Sequence, residues 1–182
     1  YVILSFGVYW NIDVGFICIL SFLFTKIIIN FYHDLNKEFF LKSIFKEIFL
    51  SITIFVVVSF IIFIYVKLSY GSFPVLDLLM PSQKSYLRDV SKLQPSGLWI
   101  LTIFIYIFSL FYSLSQIKNK QNPTNKSILL LSLLGIGLFS YHANQHYPQV
   151  LANVFYPSLF LIIIYLDKLF IILKIKKKEN QT

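Results

Sequence analysis

Charge is scarce in this chain. Asp, Glu, Lys and Arg make up 13% of its residues, about half the share found in an average soluble domain. A water-soluble globular fold is thereby excluded, and the 57% of hydrophobic residues point to an integral membrane protein. Cysteine is scarcer still: Cys18 is the single one, inside an apolar run, so there is no disulfide framework and no cysteine-based metal site. Phosphate-binding glycine loops, dinucleotide fingerprints and serine elbows are missing as well, which leaves soluble-enzyme chemistry without support. The net charge of +8 does not indicate nucleic acid, because the lysines gather in short connections and in the tail, where membrane topology explains them.

What is present reads as a series of membrane helices. A span needs about 20 apolar residues to cross a hydrocarbon core of about 30 Å. Tyr1 to Trp10 is too short for that and reads as the outer end of a truncated helix, so the chain is expected to be the C-terminal fragment of a larger protein. Asn11-Ile12-Asp13 makes a turn, and Val14 to Tyr32 is the first whole span. Between His33 and Glu47, apolar Leu35, Phe39, Phe40, Ile44 and Phe45 alternate at helical spacing with Lys37, Glu38, Lys42 and Lys46. That pattern fits an amphipathic helix in the interface, with a membrane helix simply extended into the cytosol as the alternative. Ile48 to Ser69 is the second span.

Tyr70 to Ser96 is the longest polar stretch, opening on the turn signal Tyr70-Gly71-Ser72-Phe73-Pro74, and Pro81 is placed to start a second interfacial helix. Gly97 to Gln116 spans again with Trp99 as an interface anchor, and Ile117 to Lys126 reads as a loop. Ser127 to Ser140 is shorter than a normal span; the helix either continues to Asn144 or stops short and leaves the following polar residues recessed. Val150 to Leu173 is the last span, with Pro157 as a kink supported by neighbouring helices. The expected fold is one all-α polytopic bundle of about five full membrane helices and a truncated first one, with interfacial amphipathic helices.

Lysine placement orients it. Twelve of the sixteen Lys and Arg residues fall at Lys26, in the 33–47 segment, in the 117–126 loop or from Lys168 onward, which puts those parts and the C-terminus in the cytoplasm. Asn11 to Asp13, Tyr70 to Ser96 and Ser140 to Pro148 then face outward and are expected to converge on one external surface.

The stretch Ser140-Tyr141-His142-Ala143-Asn144-Gln145-His146-Tyr147-Pro148 is the leading candidate for function, since polar groups at a bilayer edge are costly unless they face water, protein or a ligand. A short external turn with Tyr141 and Tyr147 as anchors is the plain alternative. His142 and His146 have the spacing of a metal pair, but no carboxylate adjoins them, and neither a metal nor a cofactor is expected. Trp10-Asn11-Ile12-Asp13-Val14-Gly15 reads as an interfacial turn with Asn or Asp as helix cap and Gly for close contact, or as a site in which Asp13 acts as base or cation ligand. Asp167 and Lys168, inside the last span, are expected to snorkel or to pair with each other.

These motifs resemble those of bacterial membrane glycosyltransferases of GT-C organisation, which use polyprenyl-phosphate-linked sugars. Trp10 to Gly15 is similar to their WNxDxG or WNxETG turn, Tyr70 to Pro74 to a Tyr-Gly-x-x-Pro-like external loop, and Tyr141 to Pro148 to a Tyr-x-x-Asn-Arg-Ser-His-Pro-like stretch, matching at Tyr141, Asn144 and Pro148. The order along the chain matches too. Gln145 stands where that pattern has Arg, and His146-Tyr147 where it has Ser-His. The resemblance implies transfer of a sugar from a lipid-linked donor on the external face of a bacterial cell membrane. It implies that Asp13, Tyr70, Tyr141, Asn144 and Gln145 line the donor site, and that the catalytic carboxylate belongs to an earlier external loop. Because Gln145 cannot neutralise a phosphate, Lys84, Arg88 or His146 is expected to take over that role, Arg88 being the best suited. Membrane lipid and the lipid-linked donor are the expected partners. A transporter, or a non-catalytic helical subunit of a membrane complex, is the competing reading.

Overall fold

The computed structural model of the chain describes residues 1–33, 37–72, 97–117, 122–144 and 148–179. Among them there are six helices and no strand: α1 (Val2–Trp10), α2 (Ile12–His33), α3 (Lys37–Tyr70), α4 (Leu98–Gln116), α5 (Pro123–Asn144) and α6 (Pro148–Glu179). Five of these, α2 to α6, are long and apolar enough to cross a membrane. An all-helical build follows from the solvent, since backbone groups in lipid have to be satisfied within the segment itself.

The helix bounds resolve what the sequence left open. No Gly or Pro interrupts residues 37–70, and α3 runs unbroken through them. The 33–47 pattern is therefore largely the first turns of a membrane helix and not a separate interfacial one. α5 continues to Asn144 and also begins early, at Pro123, so the loop expected over 117–126 ends at Asn122. The cause is local: the Asn122 side chain accepts from the Thr124 N–H at 3.0 Å, and Pro123, which has no N–H to satisfy, occupies the first helical position. Pro148 likewise opens α6.

The helices form two groups of three. α1, α2 and α3 pack on one another, as do α4, α5 and α6, and the groups meet where α2 packs on α5. Contacts fix which ends are level. Tyr9 meets Phe63 edge-on at 6.2 Å, Ile17 lies against Gly137, and Trp99 lies 5.9 Å from Phe139. Asn11, Tyr70, Trp99, Asn144 and Pro148 thus share one end of the bundle. At the other, Asn30 Nδ2 donates to Ser43 Oγ at 2.7 Å, and α4, α5 and α6 meet around Lys168.

Polarity is inverted relative to a soluble protein. Ser5, Ser21, Thr102, Ser109, Ser113, Ser132 and Ser158 are buried, whereas Phe45, Phe49, Phe60, Phe104, Phe111 and Phe170 are exposed. Small residues let helix backbones approach closely, and lipid takes the place of water around the large apolar ones.

Candidate functional site

The site begins at the break between α1 and α2. Asn11 ends α1 in an extended conformation, and its Oδ1 accepts from the Val14 N–H at 3.2 Å, as a helix cap does. Chain reversal after a single residue brings the two helices very close: a Cβ on Gly15 would come within 2.4 Å of the Val8 backbone, so only glycine fits. Asp13 falls in the first turn of α2.

From there the α2–α5 contact reaches the second motif. Asp13 lies one turn before Ile17 and Tyr141 one turn after Gly137, and the Ile17 side chain meets Gly137, so these two terminal turns lie at the same level. His142 and Asn144 belong to that last turn of α5. Tyr70 ends α3 at the same end of the bundle, 76% exposed, before Gly71 terminates the helix with φ of 74°. It approaches from another direction, because α3 packs on α1 and α2. Arg88, Gln145 and His146, with Lys84 and Lys92 and the interfacial helix expected after Pro81, lie outside the described residues.

Below this end, a buried tyrosine that the sequence did not single out ties α4, α5 and α6 together. Tyr106 is fully buried, and its hydroxyl donates to the Val154 carbonyl, three residues before Pro157 in the turn that the proline disturbs. Its ring occupies the space left by Gly135, where a Cβ would come 2.2 Å from the ring. This side chain is a neighbouring-helix contact in the turn that Pro157 disturbs, one carbonyl along from the Asn153 carbonyl whose helical donor the proline lacks. Thr102, Ser109 and Ser113, small polar residues at helical spacing with Tyr106 and buried with it, are the sequence signal that could have found it.

At the lysine-rich end, Lys168 is not paired with Asp167. Its Nζ donates to the Tyr112 hydroxyl at 3.2 Å and to Asn125 Oδ1 at 3.3 Å, while Asp167 is exposed. The reason is angular: consecutive helical residues point about 100° apart, and only Lys168 faces α4 and α5. Tyr165 beside it donates to Ser109 Oγ at 2.8 Å. In the other helix group, Glu47 accepts from the Tyr1 hydroxyl at 2.6 Å and lies 3.8 Å from Lys26.

Compared with protein-family models, with characterised proteins and with solved structures, the chain matches none.

Proposed function

We propose that the chain is part of a membrane-embedded, GT-C-like glycosyltransferase, and that the end shared by Asp13, Tyr70, Tyr141 and Asn144 belongs to the side that holds a polyprenyl-phosphate-linked sugar. The observation that carries this reading is the level placement of the first turn of α2 and the last turn of α5. Two motifs more than a hundred residues apart in sequence, each similar to one in that family, come to one end of the bundle. In this reading that end is external, the lysine-rich end and the C-terminus are cytoplasmic, and the membrane is a bacterial cell membrane.

The mechanism divides the work. An ionised carboxylate supplied by an earlier external loop takes the acceptor's proton as general base, and this part of the protein positions the donor and stabilises the departing phosphate. Gln145 offers only amide donors, so charge neutralisation falls to Lys84, Arg88, Lys92 or protonated His146. Arg88 is the best suited, since its planar fork holds two phosphate oxygens at once.

The test is the affinity of the full-length protein for a polyprenyl-phosphate analogue. Arg88→Ala should weaken binding at least about tenfold, the usual cost of losing a charge-assisted hydrogen bond. Gln145→Arg should strengthen it or leave it unchanged. If Lys84, Arg88, Lys92 and His146 can be neutralised together without loss, no phosphate is held there.

One observation favours the non-catalytic helical subunit instead. Asn11 acts as a helix cap and Gly15 as a contact point, which explains two residues of the Trp10–Gly15 motif without a ligand. Asp13 separates the readings: Asp13→Asn should impair donor binding or transfer under the first and leave assembly unchanged under the second.

A further inference from the structure

The lysine-rich end of α4, α5 and α6 holds a side-chain group that this reading does not use. Lys168 Nζ donates to the Tyr112 hydroxyl at 3.2 Å and to Asn125 Oδ1 at 3.3 Å, and lies 4.8 Å from the centre of the Tyr112 ring. An ammonium has three N–H donors and no acceptor, so one donor is left over. The Tyr112 oxygen accepts from Lys168, which leaves its own proton to donate. Asn125 has its carbonyl committed to Lys168 and, among the described residues, no partner for either amide N–H donor. Among the described residues no acceptor meets any of these donors, and Asn125 is only 5% exposed, so bulk water does not reach its amide freely. Nor, among the described residues, does a carboxylate balance the charge: Asp167 is exposed, and the ion pair found there, Lys26 with Glu47, belongs to the other helix group.

A cation with surplus donors and no facing acceptor is the complement of an oxyanion. It lies within about one turn of Gln116 and Pro123, where the candidate spans of α4 and α5 end and where bilayer phosphates are expected, and the first turn of α5 adds the positive end of a helix dipole. We propose that Lys168, Tyr112 and Asn125 bind a phosphate group, that of an anionic lipid headgroup in the adjacent leaflet. Inorganic phosphate would use the same donors, and the experiment separates the two sources. The site lies at the opposite end of the bundle from the donor site, so the two proposals fail independently.

The experiment reconstitutes the full chain in nanodiscs of phosphatidylcholine with a minor fraction of phosphatidylglycerol. Lipid that stays with the protein on release is then quantified by native mass spectrometry. The unmodified protein should be enriched in phosphatidylglycerol, and Lys168→Met should lower that enrichment about tenfold, as expected for loss of a hydrogen bond to a charged partner. Lys168→Arg should keep the enrichment and Tyr112→Phe should reduce it, and these two decide the matter if the methionine variant does not fold. Lys174→Met, which removes an exposed cation from the same helix, should leave it unchanged. Added inorganic phosphate that binds in a Lys168-dependent way without any lipid enrichment assigns the site to the aqueous anion. Equal retention of both lipids with no Lys168-dependent phosphate binding overturns the proposal, as does a Lys174 effect equal to that of Lys168.

Discussion

Tyr106 shows how much one polar group does inside an apolar span. Proline at 157 has no N–H, so the carbonyl four residues back, that of Asn153, loses its helical donor, and the proline ring disturbs the turn around it, Val154 included. The Tyr106 hydroxyl meets the Val154 carbonyl there, and Gly135 gives its ring room. Tyr106→Phe is expected to destabilise the folded protein by about 1 kcal/mol, in line with hydrogen bonds between membrane helices. Gly135→Ala should cost more, about 1–3 kcal/mol, because its methyl overlaps a fully buried aromatic ring whose hydroxyl is tied to another helix. Thermal unfolding in one detergent, followed by loss of the monodisperse fraction, measures both; a Gly135→Ala protein as stable as the parent would refute the close contact. In sequence Tyr106 was one aromatic among many. Its role depends on Gly135 and Val154 from two other helices, and the sequence signal that could have located its face is the helical spacing of Thr102, Ser109 and Ser113, which the structure buries beside it.

Among the elements, identity and number were legible because apolar length is what a membrane selects, and the ends were less so because Pro carries two meanings. Pro123 fell inside the expected 117–126 loop and Pro148 at the end of the 140–148 stretch, yet each is the first residue of a helix, where a missing N–H costs nothing and φ is already set. At residues 33–47 the interfacial and extended-helix readings share one periodicity, and the absence of any breaker before Gly71 decided for a single α3. Asn11 was legible, as a cap. Asn11→Ala should cost about 1 kcal/mol, whereas Asn11→Ser, which keeps a cap oxygen, should cost less than half of that. Equal stability losses in the two variants would mean that the Val14 N–H bond contributes nothing.

At the scale of the whole molecule, two three-helix groups depend on one shared contact, and the convergence of the candidate site rests on it. Orientation is tested first. In a Cys18→Ser background, Ser72→Cys should react with an impermeant thiol reagent in intact cells and Gln116→Cys should not; the reverse pattern would invert the assignment drawn from the lysines. The contact itself has a sharper test. A Cβ built on Gly137 lies 3.8 Å from Ile17 Cβ, which is the mean separation across a disulfide, about 3.8 Å. Ile17→Cys combined with Gly137→Cys, again without Cys18, should therefore close an intramolecular bridge under mild oxidation in membranes. Both thiols should then resist a mass-tagging maleimide until reductant is added. Ile136→Cys in place of Gly137→Cys is the control, since Ile136 is exposed away from the contact. If the 17–137 pair stays fully reactive, or the 17–136 pair closes as readily, α2 and α5 do not meet in this register. Asp13 and Tyr141 would then lose the level placement on which a shared donor site depends, and the non-catalytic subunit would be the better reading.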